Sequence, residues 1–99
     1  MSAVVRDQAV IRVVVIDDDH QIQEALRKAM AGRGELAHLG SAYSVQEGLD
    51  LLESAQPDVA LIDLGLGDQS GLALIAHIHQ NMPNTESLVL TVFGDEATS

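Results

Sequence analysis

Short β-branched runs alternate with amphipathic stretches along this chain. Ile11–Ile16, IRVVVI, is apolar at every position but one, as in a strand buried on both faces of a sheet. Ile22, Leu26, Ala29, Met30 and Arg33 then fall at helical spacing, and Gly32 with Gly34 supplies a helix stop. Glu35–Ala42 reads as an edge strand of moderate hydrophobicity. Ser44–Glu47, SVQE, is a capping box: the serine oxygen can accept from the amide three residues on, and the glutamate can reach back. Val45, Leu49 and Leu52 form the apolar face of the helix that follows, and Pro57 stops it. Asp58–Asp63, DVALID, reads as a second strand buried on both faces. Ser70 is expected to cap a third helix with Leu74, Ile75 and Ile78 inward, ended by Asn81–Asn84 with Pro83. Ser87–Val92, SLVLTV, reads as a further fully buried strand.

The order β-α-β-α-β-α-β with short connections predicts an α/β fold: a doubly wound parallel sheet with helices on both faces. Residues 10–99 are expected to form this one domain, after a leader or disordered start over residues 1–9. Ligands of such sheets bind beyond the carboxyl ends of the strands. Asp17, Asp18 and Asp19 follow the first strand, Asp63 closes the third, and Thr91 stands at the end of the fourth. Three separated segments thus bring oxygen groups to one rim.

Composition narrows what that rim can serve. The 99 residues carry 15 acidic against 5 basic side chains, a net charge of −10. Such a surface repels nucleic acid and anionic membranes, so no direct binding of either is expected from this domain. No apolar run reaches membrane-spanning length, and no signal peptide is evident. The absence of cysteine excludes disulfides, thiolate metal sites and thiol nucleophiles, and suits a cytoplasmic location.

Clustered carboxylates repel one another unless a cation joins them. Oxygen donors without sulfur favour Mg²⁺, usually held by one or two carboxylates together with phosphate oxygens. A carboxylate at a strand end beside Mg²⁺ is a candidate nucleophile for phosphoryl transfer, which singles out Asp63. The nearby Gly65, Gly67 and Gly71 are expected to let backbone pass close and adopt positive φ. Gly65 would offer its carbonyl, and Thr91 a hydroxyl hydrogen bond to a phosphoryl oxygen. Taken singly, these residues have plainer readings. An Asp-Asp-Asp run suits a helix N-terminus, His20 is most simply a first-turn helix residue, and His77 and His79 diverge on a helix.

VVVIDDDHQI, PDVALIDLGLGDQSGLALI and SLVLTVFGDEAT together resemble, in the right order, three blocks of the response regulator receiver domain of two-component signalling. The resemblance covers nearly the whole chain from Ile11. It implies a flavodoxin-like fold and an acidic Mg²⁺-binding pair at Asp17 and Asp18, with Asp18 the direct ligand and Asp17 acting through water. It implies Asp63 as the acceptor of phosphate from a sensor histidine kinase or phosphotransfer protein. It also implies Gly65 as the carbonyl ligand and Thr91 as the hydroxyl that moves toward the phosphoryl group. Gly67 stands where the family usually has proline. The family continues past the fourth strand with a helix, a strand carrying a lysine near the phosphoryl group, and a last helix. Here the only lysine is Lys28.

The reading is therefore a C-terminally truncated receiver lacking those last elements. An exposed fourth-strand edge would then favour a homodimer or domain-swapped species. A C-terminal output domain absent from this chain, DNA-binding by analogy, is expected. The function expected is that of a phosphoacceptor switch rather than a turnover enzyme. The alternative is a non-phosphorylated interaction or dimerisation fragment. An aspartyl-phosphate phosphatase of the haloacid dehalogenase style fits poorly, because Gly65 occupies the position of its second aspartate. No Walker nucleotide motif or EF-hand spacing is present.

Overall fold

The computed structural model describes residues 9–66 and 69–90. In chain order it forms β1 (Ile11–Ile16), α1 (His20–Ala31), β2 (Leu36–Ala42), α2 (Val45–Ala55) and β3 (Val59–Asp63). A two-residue pair follows, β4 (Gly65–Leu66) and β5 (Gln69–Ser70), then α3 (Leu72–Asn81) and β6 (Glu86–Leu90). Four strands make a parallel sheet in the order β2-β1-β3-β6, whereas β4 and β5 pair antiparallel. The doubly wound α/β architecture is therefore as the periodicities predict. The β4–β5 pair was not legible, since two-residue strands carry no period.

Alternation along the strands divides the core. Val14, Ile16, Ala60 and Ile62 pack with Leu52 of α2 and with Leu74 and Ile78 of α3 in the larger apolar cluster. Val13 and Val15 pack with Met30 of α1 on the opposite face, where Leu26, Val59 and Leu61 are only partly covered. Fully burying one such side chain contributes about 1.5–3 kcal/mol. The larger cluster is therefore the chief anchor of the sheet.

All three strands expected to be buried on both faces depart from complete burial: Val59 and Leu61 of β3 are only half-buried. Ile11 and Arg12 at the start of β1 are exposed. In β6, Leu88 and Val89 are each 49% exposed, because β6 lies at the end of the four-strand order with only β3 beside it among the described residues.

Local chemistry sets the helix ends. Asp19 caps α1, its carboxylate accepting from the amides of Gln21 and Ile22. Ser44 Oγ accepts from the Glu47 amide as the capping box requires. The return bond, however, runs from the Tyr43 amide to Glu47 Oε1, one residue before the usual partner. At α2's other end Gln56 takes a left-handed conformation, φ 47°, ahead of Pro57. Proline disfavours right-handed helical geometry in the residue before it. The N-cap of α3 is Gly71 rather than Ser70, although Ser70 Oγ still accepts from the Leu72 amide.

Candidate functional site

Strand register builds the site. Ile16 of β1 lies level with Ile62 of β3, so one further step along each chain brings Asp17 abreast of Asp63. Adjacent strands lie about 4.8 Å apart. Asp18 begins the turn into α1 just beyond. One carboxylate oxygen from each of Asp17, Asp18 and Asp63 lies within 4.8 Å of the others, a grouping that could hold a metal ion. Asp17 is buried, Asp63 half-buried and Asp18 exposed, so the cluster opens from core to solvent.

Local hydrogen bonds aim these groups. The Asp17 amide donates to the Ala42 carbonyl at 3.0 Å, while Asp17 Oδ1 accepts from the Asp19 amide at 2.9 Å. Asp63 Oδ1 accepts from the Gly65 amide at 3.2 Å. In both residues one oxygen is held by backbone and the other has no protein partner among these contacts. Burial, only partly offset by the Asp19 amide, pushes the Asp17 carboxyl up to about 6; the negative charges of Asp63, Asp18 and Asp19 push the same way. A cation at this point would reverse that penalty. Three hard oxygen donors suit Mg²⁺, and no sulfur is present to favour a softer ion.

Asp17, Asp18 and Asp63 are thus brought together, with Gly65 next to Asp63. Asp19 is turned away into the α1 cap. Thr91 and Gly67 lie outside the described residues. Among the described glycines none has the positive φ expected of this loop. Gly71 is instead needed for space: a Cβ there would overlap the Asp63 carbonyl oxygen and sit 2.8 Å from Ile62 Cγ2. His20 opens α1 as expected, and its ring stacks on Tyr43 with centroids 4.4 Å apart. Lys28 is exposed on α1 near Glu24.

Sequence reasoning missed Gln23, which is buried beside Asp17. The signal was present: Gln23 shares a helical face with Leu26 and Met30, a polar residue at a core position.

Comparisons with known proteins converge. A sequence model of the family described as the response regulator receiver domain matches residues 13–99. The acid tolerance regulatory protein ActR of Sinorhizobium medicae is 38% identical over 88% of this chain. The DNA-binding transcriptional activator DevR/DosR of Mycobacterium tuberculosis is 33% identical over a similar 88%. The chain spans less than half the length of these relatives, 44% and 41% respectively. Among solved structures, the receiver domain of the response regulator NarL from Mycobacterium tuberculosis superposes with a TM-score of 0.75 at 28% identity. That match covers 82% of this chain and 65% of the other.

Proposed function

This chain belongs to the response regulator receiver domain family, and from that premise we propose that it is a phosphorylation-controlled switch whose phosphoacceptor is Asp63. The donor would be the phosphohistidine of a sensor histidine kinase or phosphotransfer protein. Mg²⁺ would be held by Asp17, Asp18, Asp63 and the Gly65 carbonyl. The observation that carries the reading is the convergence of three carboxylates from two strand ends within 4.8 Å.

The chemistry follows from the placement of Asp63. With Oδ1 accepting from the Gly65 amide, Oδ2 would be the oxygen that attacks phosphorus. An O–P bond forms as the donor N–P bond breaks, and the electron pair stays on the imidazole nitrogen, which takes up a proton. Bound Mg²⁺ supplies neutralisation of the carboxylates and phosphoryl oxygens during this in-line transfer. Asp17 and Asp18 hold that charge in place, and the Thr91 hydroxyl would donate to a phosphoryl oxygen. The acyl phosphate then biases an equilibrium between two arrangements of the domain, so the product is a switched state rather than a released metabolite.

By analogy with relatives named as transcriptional regulators, the output would be DNA binding by another part of the protein, in the cytoplasm. The β6 edge, paired only with β3 among the described residues, supports a second reading for the chain by itself, pairing with another copy.

Intact mass spectrometry of the folded protein with Mg²⁺ and a small acyl phosphate tests the proposal. One phosphoryl adduct is expected, dependent on Mg²⁺ and absent from Asp63→Asn. A cooperatively folded wild type that forms no adduct would overturn it and leave metal binding or pairing as the remaining role.

A further inference from the structure

Asp17 and Gln23 are the buried polar side chains of the described residues, each 3% exposed. Gln23 Nε2 donates toward three carbonyl oxygens, at 3.1 Å to Val15, 3.0 Å to Asp17 and 2.8 Å to Ala42. All three partners are acceptors, so the nitrogen rather than Oε1 must face them. Two N–H groups therefore serve three carbonyls at the point where β1 and β2 end. Ala42 O also accepts from the Asp17 amide. The backbone of Asp17 is consequently held on both sides of its Cα: its N–H by Ala42, its C=O by Gln23. Oε1 of Gln23 is buried without a hydrogen-bond partner among the described residues. A core position that needed only volume would be filled more cheaply by an apolar residue, as at Leu26 and Met30 of the same face.

We propose that Gln23 is a positioning residue for the metal site: by fixing the Asp17 backbone from α1 it sets where the free carboxylate oxygens of Asp17 and Asp18 point. The role rests on the reading of this rim as a Mg²⁺ site. Groups that orient metal ligands without touching the ion commonly change metal affinity by about 10–100-fold when removed. Gln23→Met keeps the length and shape of the side chain and deletes both donors.

The test is calorimetric titration of the 99-residue protein with Mg²⁺ alone. Gln23→Met should bind about tenfold more weakly, whereas Ile78→Ala, a core truncation toward the other end of α3, should bind within about twofold of wild type. Asp18→Asn separates the two levels of inference. If Asp18→Asn keeps wild-type affinity, the metal reading fails and takes the Gln23 role with it. If Asp18→Asn is weakened but folded Gln23→Met is not, or if Ile78→Ala loses as much as Gln23→Met, the Gln23 role alone is overturned.

A second measurement needs no variant and decides the matter should Gln23→Met not fold. In ¹⁵N-labelled wild type, the Gln23 side-chain amide resonances should shift with Mg²⁺ at the same midpoint as the backbone amides of residues 17–19. Those of Gln46 and Gln56 should stay fixed. A stationary Gln23 signal while the residue 17–19 amides move would overturn the proposal.

Discussion

At the scale of single residues, Asp17 makes the folded protein sensitive to pH. Its carboxyl lies near 6 in the folded chain, against an ordinary value of 3.8. The folded state therefore retains a proton over a window in which the unfolded chain has released it. This contribution to stability is complete below about pH 4 and is lost as pH rises through about 6. Metal-free protein should accordingly lose about 1 kcal/mol of stability from this group between pH 5 and 7. Urea denaturation at the two pH values checks this, and Asp17→Asn should remove the difference. Mg²⁺ held as proposed would act in the opposite sense: it needs the ionised carboxylate, so its affinity should fall as pH drops below about 6.

At the scale of elements, two glycines let the α2–α3 layer close on the sheet. A Cβ at Gly48 of α2 would meet Ile16 Cγ2 and the Leu74 methyls at 3.1 Å, flexible side-chain atoms that can give by a few tenths of an ångström. A Cβ at Gly71 would meet the backbone carbonyl of Asp63, which cannot retreat without moving the proposed acceptor. Gly71→Ala should therefore destabilise by about 2–3 kcal/mol, near the upper end of overpacking effects. It should also slow phosphoryl uptake by Asp63. Gly48→Ala should cost less and leave uptake close to wild type. Thermal unfolding beside adduct formation by mass spectrometry separates the two, and equal effects would refute this account of Gly71.

At the scale of the whole molecule, the sheet is protected unevenly. β6 pairs only with β3 among the described residues, and Leu88 and Val89 are half exposed on its two faces. An open apolar edge of this kind invites strand pairing between copies. The net charge of −10 opposes it, but salt shortens the range of that repulsion to about 10 Å at 0.1 M. The 99-residue chain is expected to scatter light as a species heavier than its 10.5 kDa monomer at micromolar concentration. Association should increase with salt, and Leu88→Lys should restore the monomer. A wild type that remains monomeric throughout would remove the pairing reading.

What the sequence by itself determined was the alternation of strands and helices and the placement of acidic residues just past two strand ends. Those follow from local periodicity and from the chain's direction through a parallel sheet, so Asp17, Asp18 and Asp63 were legible as one rim. Only the tertiary structure decided how each group is used. Asp19, inseparable from its neighbours in the run of three, is spent on the α1 cap because its carboxylate meets the free amides of the first turn. Gly71 is required for clearance rather than for an unusual φ, since its constraint comes from a strand eight residues and more upstream. Gln23 acts on Asp17 only because α1 folds back across the ends of β1 and β2. The exposure of β6 likewise depends on its place in the strand order, which no local pattern records.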